Sequence, residues 1–135
     1  MISEEEFLEM LDDIADEIPR EFFQELNNGI LLILEAKLHP ASDPWNPLWV
    51  LGQYRVSPTL GRSIYIYYGS FERLYGDSDI EVLRKKVRHT VLHEFQHHLE
   101  SLAGEHDLDL EDQRRMASYK RGDYFLSSSG KSSAS

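Results

Sequence analysis

The chain predicts an α+β fold: opening helices, a small mixed sheet of about three or four strands, then one long helix. Three observations predict it. Phe7, Met10, Leu11, Ile14 and Ile18 recur at helical spacing up to Pro19. Three stretches of strand length and composition follow between Ile30 and Tyr68. From about Asp79 onward, Ile80, Leu83, Val87, Val91, Phe95, Leu99 and Leu102 fall on one arc of a helix, which faces the core.

Each element has its own signal. Ser3 and Glu6 form a capping box before the first amphipathic helix. Pro19 suits the first turn of a short second helix, Glu21 to Leu26, which Asn27-Asn28-Gly29 ends. Ile30 to Leu34 is a continuous apolar run and predicts a buried strand. His39 to Pro47 contains Pro40, Pro44 and Pro47 and predicts a loop. Leu48 to Val56 supplies a second strand, with Gly52 as a bulge or close approach, and Ser57-Pro58 begins a turn. Ser63 to Tyr68 alternates isoleucine and tyrosine as the third strand, and Phe71 to Tyr75 adds a helical turn. Ser78 and Glu81 read as a capping box for the long helix, with Gly104 as its stop about seven turns later. The Ile-Tyr strand with Trp45 and Trp49 could form an exposed patch for a partner, but burial in the core is the commoner fate of such residues and the expectation here. A single domain is expected over residues 1–126, with a disordered Ser-rich tail over 127–135.

Composition narrows the function classes. A chain of 135 residues with 41% hydrophobic content can build one real core. No apolar run is long enough to cross a bilayer, and the start, Met1-Ile2-Ser3-Glu4-Glu5-Glu6, is acidic where a signal peptide is basic. A cytoplasmic monomer with no membrane partner is the expectation. With no cysteine, a transition metal has only His, Asp and Glu to hold it. A net charge of -10 argues against nucleic acid as a partner.

The segment His93-Glu94-Phe95-Gln96-His97 is an H-E-x-x-H pattern inside the long helix. Positions i and i+4 differ by roughly 40° around the axis, so His93 and His97 project from one face and can grip one ion. Glu100 shares that face, with His89 and Gln96 at its edges. An ion held by two imidazoles and one further ligand keeps a position open for water and lowers its pKa to about 7, so that an adjacent carboxylate, Glu94, can take the proton. A solvated polar face is the bland alternative, but Lys and Glu would serve such a face better than histidines at 89, 93 and 97. The chemistry indicated is zinc-dependent hydrolysis of a peptide or protein substrate. An extended peptide would lie against the sheet edge.

The sequence resembles the minimal zincin-like metallopeptidase family. The resemblance covers Phe7 through Pro19 with Phe22, the Ile30 to Glu35 strand, Leu51-Gly52-Gln53-Tyr54 with Pro58 and Arg62-Ser63, and Val87 through His98, where a doubled histidine follows the metal motif. It implies a zincin-like fold, His93 and His97 as zinc ligands, and Glu94 as catalytic base. Many family members place a glycine three residues after the second metal histidine and an acidic ligand three residues later. Here those positions hold Glu100 and Ala103, and alanine cannot bind metal.

A Gly-x-x-Asp unit stands four residues on, as Gly104 to Asp107, and makes Asp107 the first choice for third ligand. Asp112, Glu100 and His106 are the alternatives, with Glu100 better suited to orienting an imidazole. Arg62 or Tyr119 is a guess for steadying the oxyanion. His98 points about 100° away from His97 and suits packing, while His39 carries no signal. The altered third-ligand region also allows another class, a zincin-fold metal-binding or interaction module with little activity.

Overall fold

The computed structural model describes residues 1–106, with side chains through Gly104. Asp107, Asp112, Tyr119 and the Ser-rich tail lie outside the described residues. Helix α1 spans Glu4–Asp16, and both halves of its expected capping box form. The Glu6 N–H donates to Ser3 Oγ at 3.1 Å and the Ser3 N–H to Glu6 Oε1 at 3.0 Å. Its buried face is Phe7, Met10, Leu11 and Ile14. Phe7 meets Tyr68 edge-on, ring centres 5.3 Å apart. The expected second helix is only a 3₁₀ turn, Arg20–Phe23, which buries Phe22. Glu25 then takes φ +61°, left-handed backbone that does not continue a helix.

Five strands follow: β1 Ile30–Ile33, β2 Lys37–Leu38, β3 Trp49–Val50, β4 Gly52–Ser57 and β5 Gly61–Tyr67. The main sheet has the order β1-β5-β4, and β2 pairs with β3 as a separate ribbon. β1 runs parallel to β5, Ile30 opposite Ile64, while β4 runs antiparallel to it, Gly52 opposite Ile66. Two expectations change here. The second strand is divided at Leu51 between the ribbon and the sheet. β1 is an edge strand and therefore half-buried, with Leu31 exposed, because its neighbours in space and not its own apolarity set its burial. Ile64 and Ile66 turn one face of β5 into the core. Trp45 is 95% exposed, contrary to expectation, on a turn where Asp43 Oδ1 accepts from the Trp45 and Asn46 N–H groups. Trp49 lies beneath Arg73, 4.8 Å from ring centre to guanidinium carbon.

Helix α2, Tyr68–Tyr75, is longer than the single turn expected, and α3 runs 27 residues, Ile80–His106. Leu83, Val87, Val91, Phe95, Leu99 and Leu102 are buried as the arc predicts, but Ile80 is 48% exposed at the first turn. Asp79, not Ser78, directly precedes α3, and its carbonyl accepts from the Leu83 N–H at 3.0 Å. Gly104 does not end the helix. It keeps an ordinary negative φ, and one glycine inside a helix costs only about 1 kcal/mol. Among the described residues no helix is long and apolar enough to cross a membrane.

Candidate metal centre

α3 packs along β4, and this contact orders the residues around the helix. Gly52 faces Thr90 and Glu94, and Tyr54 faces His98. His97 follows Glu94 by three residues, about 60° farther round, and so falls beyond the outer strand of the sheet. His93 shares that position one turn earlier. Their Nε2 atoms are 3.2 Å apart with the rings nearly perpendicular. Two nitrogens bound to one zinc at about 2.0–2.1 Å and a tetrahedral angle stand about 3.3 Å apart, so the pair fits a shared ion. Glu100 Oε1 lies 3.8 Å from His97 Nδ1. That is too long for a hydrogen bond, but a carboxylate on this side favours the proton on Nδ1 and leaves the Nε2 lone pair available.

Glu94 is fully buried at the same level. A Cβ on Gly52 would come within 2.7 Å of Thr90 Cγ2 and 3.2 Å of Glu94 Cγ and Oε2. The expected close approach at Gly52 is thus an approach to Glu94. The edge strand and the carboxylate can be this near only because position 52 has no side chain.

His98 occupies a different environment. Its Nε2 lies 2.7 Å from the Gln24 carbonyl and its Nδ1 2.8 Å from the Tyr54 hydroxyl. A carbonyl only accepts, so Nε2 carries the proton and the Tyr54 O–H donates to Nδ1. Burial holds this imidazole below its ordinary pKa, which agrees with a neutral ring. The side chain pins α3 to β4 and to the turn after the 3₁₀ segment. Tyr54 falls in a segment of the family resemblance and the Gln24 carbonyl in none, and neither signals His98 as its partner, so the sequence does not reveal this network.

Arg62 sits apart from the histidine pair. Its guanidinium is 4.0 Å from Glu25 Oε1, on the His98 side of α3. Along β5 it is four residues from Ile66, the partner of Gly52, or roughly 13 Å at strand rise. This placement does not support the oxyanion guess. His39 accepts from the Ala41 N–H in the loop. Among the described residues no third His, Asp or Glu joins His93 and His97 to complete a ligand set.

The family model for zincin-like metallopeptidases matches residues 46–116, more than half of the chain and including β4 and all of α3. Among solved structures, a conserved hypothetical protein from Thermus thermophilus is similar, with 37% sequence identity and a TM-score of 0.64. The match covers 76% of this chain and 98% of that one. No curated protein matches. The helix that pairs two histidines beyond a sheet edge, with a buried glutamate between them, and the family match that spans it identify the chain as a member of the zincin-like metallopeptidase family.

Proposed function

We propose that the protein is a zinc-dependent peptidase in which His93 and His97 hold the ion and Glu94 is the general base. The observation that carries this reading is the 3.2 Å approach of the two Nε2 atoms on the side of α3 where Glu94 meets the edge strand. When bound, zinc supplies a Lewis acid for the scissile carbonyl and makes a neighbouring water acidic near neutral pH. The remaining work falls to the chain. The Glu94 carboxylate takes a proton from the attacking water and returns it to the leaving amine. The Glu100 carboxylate favours the His97 proton on Nδ1. β4, one of the two outer strands of its sheet, takes an extended peptide by strand addition, with Gly52 bringing that strand against the base. A monomer with a peptide or protein substrate, and with neither nucleic acid nor membrane as partner, completes the reading.

The third ligand has a geometric constraint. His106, the last residue of α3, stands nine residues and roughly 14 Å along the axis beyond His97. A ligand from beyond it reaches the pair only if the chain doubles back. Asp107 is the choice by Gly-x-x-Asp spacing, and Asp112 has the longer tether.

The test is zinc content by mass spectrometry together with peptide hydrolysis, on parent, Asp107→Ala, Asp112→Ala and Glu94→Gln proteins. One zinc per chain is expected in the parent, lost in one aspartate variant. Glu94→Gln should keep its zinc and lose about 10²–10⁴-fold in rate. A parent that binds zinc but cuts nothing in broad peptide mixtures favours the metal-binding module instead. A parent that takes up no zinc on reconstitution removes both readings.

A further inference from the structure

The strands are cationic in a strongly anionic molecule. The chain has 24 acidic residues and a net charge of -10, yet no residue of β1 to β5 is Asp or Glu, while Lys37, Arg55 and Arg62 are basic. Arg62 turns toward Glu25. The other two gather on the face of the sheet opposite α3, where aromatic rings position them. The Arg55 guanidinium carbon is 5.2 Å from the Tyr65 ring centre, and Lys37 Nζ is 5.5 Å from that of Tyr67. Lys37 Nζ also donates to Gln53 Oε1 at 2.9 Å, as does the Tyr67 hydroxyl at 3.0 Å. Among the described residues no carboxylate lies within ion-pair distance of either cation. Within the described residues both charges are held in place without a carboxylate to neutralise them.

They flank an open edge. Among the described residues β4 pairs only with β5. The Tyr67 N–H donates to the Leu51 carbonyl at 3.0 Å, and the register from there turns the N–H and C=O of Gly52, Tyr54 and Val56 toward the other edge. Gly52 is also the residue against Glu94. A strand added antiparallel to β4 places two of its side chains opposite Gln53 and Arg55, on the outer face. These are non-hydrogen-bonded pairs, in which Cβ atoms stand about 4.5–5.5 Å apart.

We propose that the strand taken up on β4 is an acidic peptide, with carboxylate side chains at the two alternating positions that face Lys37 with Gln53 and then Arg55. In antiparallel pairing both positions lie on the N-terminal side of the bond presented to Glu94. Lys37 and Arg55 are specificity residues, and the inference rests on the reading of the site as a peptidase. Net charge alone argues for the opposite preference, because an anionic protein attracts lysine-bearing peptides. The two accounts therefore differ in sign.

The experiment titrates fluorescein-labelled octapeptides, identical except for Glu or Lys at two alternate positions, into zinc-loaded Glu94→Gln protein at low salt and reads anisotropy. The Glu peptide is expected to bind about tenfold tighter, the effect of two exposed charge pairs. The preference should reverse in the Lys37→Glu/Arg55→Glu variant. The Lys37→Gln/Arg55→Gln variant, which removes both charges and keeps polar side chains without introducing carboxylates, should abolish it and guards against a fold defect in the first. Equal or tighter binding of the Lys peptide, or a Glu preference that survives both double variants, overturns the inference. Cleavage by the zinc-loaded parent separates it from the reading beneath. Glu94-dependent cutting of both peptides at one rate leaves the peptidase and overturns the acidic preference. A Glu preference in binding with no cutting keeps the acidic strand site and overturns the peptidase.

Discussion

His97 and His98 are neighbours in sequence, and their surroundings assign them different work. His98 is buried, with a carbonyl on one ring nitrogen and a hydroxyl on the other, so its hydrogen-bonding capacity is spent. His97 is half-buried and directs its Nε2 at the Nε2 of His93, an arrangement that two neutral imidazoles resolve only by placing a proton or a cation between them. One histidine belongs to the architecture, and the other stands free to serve the ion of the proposed site. A rotation of about 100° along one helix is enough to separate these roles.

That contrast predicts opposite phenotypes. The largest effect is expected from His93→Ala or His97→Ala, which should abolish zinc binding and hydrolysis. With chelator present, thermal unfolding of these variants should match the parent within about 0.5 kcal/mol, as for other partly exposed positions. A large loss of metal-free stability in either variant would show that the pair belongs to the architecture as well. Next comes His98→Ala, which empties a core site and strips partners from the Gln24 carbonyl and the Tyr54 hydroxyl. It should cost about 2–4 kcal/mol by denaturant unfolding, with zinc still bound by the folded fraction. Loss of zinc at unchanged stability would reverse the two assignments. The smallest effect sharpens the same line. Tyr54→Phe removes one hydrogen bond to His98 while keeping the ring, and about 1 kcal/mol is expected from the same unfolding curves.

The features that sequence reading recovered are periodic or local. The capping box at Ser3, the buried arc of α3 and the facing of His93 and His97 all follow from spacing along one helix. The features it misjudged depend on what lies beside a segment. β1 is half-buried because it ended up at an edge, and nothing in Ile30 to Leu34 states strand order. Trp45 projects from a tight turn that Asp43 caps, where burial was the default for so large a ring. Gly104 predicts a stop because glycine favours left-handed backbone, but here it stays right-handed. The partners of His98 come from Gln24 and Tyr54, 74 and 44 positions away. Gly52 predicts a close approach by its missing side chain, while the carboxylate it makes room for is set only by α3 lying on β4.

The closeness of Gly52 to Glu94 also bears on the order in which the site assembles. His93 and His97 need only one formed turn of helix to stand together, whereas Glu94 meets its strand across 42 positions of chain, a contact that exists only after the β4–β5 hairpin has docked. In folding time the histidine pair precedes the contact of Glu94 with β4, because local contacts close before distant ones. A refolding chain should therefore bring His93 and His97 together before Glu94 meets β4, so that any site drawing on all three is complete only when the sheet is.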